Sequence, residues 1–261
     1  MIPSGFEGVE TQLWLWLIAM IRPGAAFLAA PIFGAAHVPV QVRLIISLAV
    51  GIPAMSVVPF VLPPDGFTSI AGFALVAGEI LAGLALGFSV QIGFSAALLA
   101  GETMGNVMGL GFAAMIDPLS GQQSQVLGQF LTVLGTFLFL AMGGHLLLAM
   151  IIFESYKALP PGEAWLTNDA LRGLVRFGGT VFAAGLAIAL PVGFAVVLVQ
   201  LVMAMLARSA PALNLFSVGL PAAVLAGLVL IAFAAPSLAE AITRSMTSGL
   251  EYARTLSVGG S

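Results

Sequence analysis

Residues 67–108 read FTSIAGFALVAGEILAGLALGFSVQIGFSAALLAGETMGNVM. The stretch carries no proline and only two charges, Glu79 and Glu102. No proline falls anywhere between Gly66 and Ile116; as one helix rising 1.5 Å per residue, that run would extend roughly 75 Å. The hydrocarbon core of a bilayer is about 30 Å thick. The run is therefore too apolar for a soluble domain and too long for a simple membrane span.

The rest of the chain shares the first property. Of the 261 residues 60% are hydrophobic and 7% charged, with a mean hydropathy of +1.13; soluble proteins carry about 25% charged residues. Uncharged runs at 44–64, 80–101, 118–153, 177–207 and 209–239 each exceed the roughly 18 residues that mark a transmembrane candidate. The start of the chain carries Glu7 and Glu10 in place of a basic segment, so no cleaved leader is expected. Cysteine is absent, which excludes disulfides and thiolate metal sites. A net charge of −3 with eight Lys and Arg leaves no electrostatic footprint for nucleic acid. Those few cations, with Arg172 and Arg176 beside one loop and Arg244 and Arg254 in the C-terminal tail, do not set an orientation by the positive-inside rule.

Helices are expected near 10–30, 40–60, 67–108, 124–156, 168–206 and 213–245. The run from Arg43 to Asp65 is broken by Pro53, Pro59 and Pro63-Pro64, which leaves at most about nine helical residues before the first break. Fifteen prolines and 31 glycines imply many helix ends and bends, tolerated at membrane depth only where protein or water satisfies the freed backbone. The clearest loop is KALPPGEAWLTNDA, residues 157–170, with Pro160-Pro161-Gly162 as breaker and Thr167 or Asn168 as N-cap. It marks a boundary between two halves.

Carboxylates inside an apolar run are expensive and functional by default. AGEILAG at 77–83 and AGETMG at 100–105 each carry one. Glu79 and Glu102 either pair with arginines from other helices, such as Arg22, Arg43 or Arg208, or belong to an ion pathway. On one continuous helix they stand about 34 Å apart and roughly 140° around the axis, too far to share a site. Gly101, Gly105 and Gly109 make two G-x-x-x-G steps, which permit close helix packing. Met104, Met108 and Met115 are core filler or a deformable seal. His145 stands alone, without a second ligand at metal spacing, and reads as a structural hydrogen-bonding residue. No metalloprotease, nucleophile-elbow or P-loop motif is present, and Ser120 with His145 makes a poor hydrolase pair.

Taken in order, RPGAAFLAAPIFG (22–34), VPVQVR (38–43), the two AGE motifs, DPLSG (117–121), GGH (143–145) and above all LARSAPALNLFSVGLP (206–221) resemble the FliR/SpaR/YscT family of type III export gate proteins. The resemblance covers nearly the whole chain, and NLFSVGLP is similar to the flagellar branch. It implies an all-α, polytopic membrane-type protein of bent and broken helical hairpins, which assembles into a ring-like helical gate. It also implies one export-gate domain over 1–261, with about 1–157 standing for a FliP-like half and about 168–261 for a FliQ-like half. No enzyme activity, cofactor or metal is implied. The implied partners are FliP-like and FliQ-like subunits, a docked FlhB-like protein and unfolded export substrates in transit. The implied place is the bacterial inner membrane, multi-pass, within the flagellar basal body.

Further residues follow from the same resemblance. A plug matches about 106–122, with Gly109, Gly111, Phe112, Met115, Asp117 and Pro118; Met104 and Met108 are gasket candidates. The residues agree with a plug: Gly109 and Gly111 free the backbone, Phe112 and Met115 supply an apolar stopper, and Asp117-Pro118 ends the preceding helix. An ordinary helix–helix connection is the competing reading. Asn214, Phe216 and Pro221 are partner-contact candidates, the alternative being a tight hairpin in which Arg208 neutralises helix carbonyls. A function from a different class also fits the intramembrane charges: an ion-coupled secondary transporter using Glu79 and Glu102.

Overall fold

The structure, a computed structural model, describes residues 8–60, 69–111, 126–162, 168–209 and 218–259. Seven helices occupy them, and no strand forms among the described residues: α1 (Val9–Ala29), α2 (Val40–Ala54), α3 (Ile70–Val107), α4 (Val126–Ala141), α5 (Gly144–Ala158), α6 (Asn168–Ser209) and α7 (Leu220–Ser257). The protein is all-α and of polytopic membrane type.

Glycine and proline account for most departures from the sequence expectation. The single helix expected over 124–156 is two, bent by 67°. Gly143 sits between them in the left-handed region, φ 71°, a conformation that costs other L-residues roughly 1–2 kcal/mol. The break expected at Pro53 does not occur. Pro23, Pro53, Pro191 and Pro236 all lie inside helices. A proline forfeits one backbone hydrogen bond and crowds the preceding turn, and in these apolar helices the turns on either side hold. Thus α2 runs 15 residues through Pro53, yet remains shorter than the roughly 20 a span needs. The last helix ends at Ser257 rather than near 245, so Arg244 and Arg254 are helical, not part of a tail. Arg244 pairs with Glu240 one turn away at 2.7 Å on the surface.

The chain forms two compact units. The first comprises Met1–Ile92, Met142–Gly178 and Thr247–Ser261; the second comprises Gly93–Ala141 and Gly179–Met246. In the first, α1 lies between α2 and α3 with no room for side chains at the crossings. A Cβ at Gly51 would overlap the Ala19 carbonyl, one at Gly83 the Arg22 carbonyl, and one at Gly87 the Ala26 carbonyl. Small residues here let backbones touch, the usual way helices associate where the hydrophobic effect between them is weak. At the start of α6, Phe177 stacks on Tyr252 of α7 with ring centroids 4.2 Å apart.

In the second unit the end of α3 meets α4 at Gly101, whose Cβ would stand 2.5 Å from the Leu127 carbonyl oxygen. It meets α7 through the Ser245 hydroxyl, which donates to the Gly93 carbonyl at 3.1 Å. Phe94 and Phe139 fill the space beside these crossings edge to face.

Four helices (α1, α3, α6 and α7) are long and apolar enough to cross a membrane, or five spans if the bent α4–α5 pair is one. At 38, 42 and 38 residues, α3, α6 and α7 extend about 57, 63 and 57 Å. The chain itself covers 50% of the most apolar window of α3 but only 22% and 17% of those of α6 and α7. Phe182, Met205 and Phe233 are among the side chains left exposed.

Gly87→Leu tests the α1–α3 contact. It forces a side chain against the Ala26 carbonyl and is expected to cost about 1–3 kcal/mol, read as an earlier midpoint in chemical unfolding of the detergent-solubilised protein. An unchanged midpoint would mean that the two helices do not meet at Gly87.

Candidate functional site

The best-defined polar constellation lies inside the first unit. Arg22 of α1 faces Glu79 of α3 and grips it with two prongs: Nε donates to Oε2 at 2.9 Å and Nη2 to Oε1 at 2.7 Å. Both side chains are shut off from solvent, with 0% and 2% exposed. The guanidinium is then completed by α5 and its exit. Nη1 donates to Ser155 Oγ at 3.1 Å and Nη2 to the Leu159 carbonyl at 2.7 Å. The Tyr156 ring lies 4.1 Å from Arg22 Cζ, a cation–π arrangement, and its hydroxyl donates to the Ala19 carbonyl at 3.0 Å. The planar fork of arginine matches a carboxylate in a way lysine cannot. One cation thus ties three helices together.

The other charges behave differently. Arg43 of α2 meets no carboxylate among the described residues; its Nη2 donates to the Ala35 carbonyl at 2.6 Å, and its Nε is buried without a partner. It secures the α1–α2 connection, where Ile32 holds φ 72°. Glu102 is half-buried, near Gly128 of α4, and forms no ion pair among the described residues. Arg208 is exposed in the last turn of α6. Because α3 is continuous from Ile70 to Val107, Glu79 and Glu102 lie about 34 Å apart along one axis and share no site. His145 Nδ1 is buried without a partner among the described residues. No cluster of three or more potential metal ligands occurs among the described residues.

The segment singled out as a plug begins where α3 stops. Gly109 adopts φ 83°; the Gly109 N–H donates to the Asn106 carbonyl at 3.0 Å and the Leu110 N–H to the Gly105 carbonyl at 2.9 Å. This pair of bonds is a Schellman C-cap, which a glycine at the left-handed position permits. Gly111 follows, with the Asn106 side-chain oxygen 3.2 Å from where a Cβ would stand. Phe112, Met115, Asp117 and Pro118 lie outside the described residues, as do Asn214 and Phe216. Pro221 is described, in the first turn of α7 and exposed. Met104 and Met108 have no exposed surface within the chain; Met108 lies against Gly227 of α7, whose Cβ would come within 2.5 Å of it.

Sequence reading missed Ser155, Tyr156 and Gln200. The first two sit in a polar cluster, ESYK, that closes an apolar run. Gln200 interrupts VVLVQLVM, and a lone amide in such a run is a legible signal.

A family model described as "Bacterial export proteins, family 1" matches residues 13–249. The chain is 34% identical over 238 residues to the flagellar biosynthetic protein FliR of Escherichia coli K12, covering 88% of this chain and 90% of that one. It is 32% identical over 225 residues to that of Pectobacterium carotovorum, with 85% of each covered. It is 30% identical over 210 residues to that of Bacillus subtilis 168, with 79% and 80% covered.

The geometry separates the two carboxylates energetically. Glu79→Gln leaves Arg22 buried without its counter-charge and is expected to cost about 3–5 kcal/mol. Glu102→Gln, half-exposed and unpaired among the described residues, is expected to stay within about 0.5 kcal/mol. Chemical unfolding of the two variants in detergent checks this; equal losses would contradict it.

Proposed function

Since the chain belongs to family 1 of the bacterial export proteins, as a multi-pass membrane subunit of the flagellar type III export gate, we propose that it builds the gate's pore with FliP-like and FliQ-like subunits. Unfolded flagellar axial proteins pass through that pore, and an FlhB-like protein docks on it. The chain performs no chemistry of its own. It is placed in the inner membrane, within the flagellar basal body. Residues of about 1–157 stand for one FliP-like subunit, and about 168–261 for one FliQ-like subunit.

The observation that carries this reading is family membership over nearly the whole chain. Two physical features support it. Helices of roughly 57–63 Å overshoot a 30 Å hydrocarbon core, and the apolar faces of α6 and α7 are mostly uncovered by the chain itself. Both suit a protein that is finished by neighbouring subunits.

Within the gate, residues of about 106–122 act as the plug. Gly109 and Gly111 give it its turn, and Phe112 and Met115 form its apolar head. Asp117-Pro118 closes it off. Met104 and Met108, which would belong to a methionine seal, back the plug from within the core of the second unit. Asn214, Phe216 and Pro221 contact partners.

Deletion of residues 110–116 tests the plug. The expected result is a gate that assembles in normal amount but lets small solutes through the membrane of otherwise intact cells. A deleted gate that stays tight would end the plug reading.

A further inference from the structure

Among the described residues, the Gln200 side chain of α6 bonds to the backbone at the end of α3. Its Nε2 donates to the Val107 carbonyl at 2.6 Å. The bond falls where it matters for the loop. The C-cap at Gly109 uses the carbonyls of Gly105 and Asn106, and Val107 is the next carbonyl along, one of those at a helix end that lack an intrahelical partner. The amide of Gln200 takes it. One residue further, Met108 is fully buried, and a Cβ at Gly227 would crowd its Cγ, sulfur and methyl group. The last turn of α3 is therefore held at three points: its own cap, an amide from α6 and a methionine seated on α7. Gly109, Gly111 and the chain beyond leave from a fixed platform.

We propose that Gln200 is a positioning residue, which fixes the direction in which residues 109–111 leave α3. The inference rests on the plug reading for its functional meaning, though the anchorage itself does not. In a helix reading VVLVQLVM an amide has no apolar task to perform, and hydrogen bonding to a partner's freed carbonyl is the use that such a group finds between packed helices. The link is neutral.

The chain has no cysteine, so one introduced thiol reports alone on it. Leu110→Cys and, as a control on exposed α4, Phe130→Cys are placed in the assembled gate. Maleimide labelling of this chain is then followed by intact mass. Gln200→Met keeps the side-chain length and removes the donor. It is expected to raise the labelling rate at 110 about tenfold, leave that at 130 unchanged, preserve assembly and increase small-solute passage. Gln200→Asn keeps an amide one methylene short and is expected to fall between; it also serves if the Met variant does not assemble. An unchanged rate at 110, or an equal rise at 110 and 130, overturns the inference. If the 110–116 deletion leaks while Gln200→Met leaves labelling unchanged, the anchor is wrong and the plug stands. If labelling rises at 110 while the deletion stays tight, the anchor stands and the plug is wrong.

Discussion

A guanidinium and a carboxylate sealed from solvent hold α1, α3 and α5 to one spacing. Arg22 and Glu79 cannot be pulled apart without leaving a bare charge in an apolar interior, and the penalty for that exceeds what any single apolar contact nearby provides. The glycines around them set the reach. Gly83 lies one turn after Glu79 and beneath the Arg22 carbonyl, so the backbones of α1 and α3 are close enough for the fork to meet the carboxylate squarely. Ser155, Tyr156 and the Leu159 carbonyl then fix where α5 must end. A buried ion pair is weak evidence of net stability. Its use here is register: one placement of these helices gives each guanidinium nitrogen a partner, and slipping any helix by a residue satisfies fewer.

Away from that junction, α6 and α7 leave most of their apolar windows uncovered by the chain itself. Long apolar helices with largely uncovered faces do not suit a self-sufficient membrane bundle, in which each span is matched to the bilayer and packed on its neighbours. They suit a subunit whose outer surface is completed by other chains. The end of α3 shows the same economy. Its cap, the Gln200 amide and Met108 on Gly227 determine where the helix stops and from where the next segment departs.

Much of this was legible in the sequence because the governing signals are local. Helix type and rough extent follow from apolar runs and missing charges, and α3 was readable as one unbroken helix because no proline falls within it. AGEILAG announced a charge that needed a partner, and the G-x-x-x-G step at Gly101 announced a close crossing. The misreadings came from two residue types whose effects depend on context. Gly143-Gly144 fell inside the single helix expected over 124–156, yet the first turns left-handed, between two helices bent by 67°. Pro53 looked like a helix breaker and was carried inside α2. The choice of Arg22 over Arg43 or Arg208 for Glu79 was not legible, because it depends on which helices touch. Tyr156 and Gln200 escaped because each makes its contact more than 90 residues away in sequence.

The most direct test is native mass spectrometry of the complex recovered through a tag on this chain from its own membranes. The account predicts one copy of the chain held with FliP-like and FliQ-like subunits in a particle that survives detergent. A chain recovered alone, monomeric and stably folded, would contradict it.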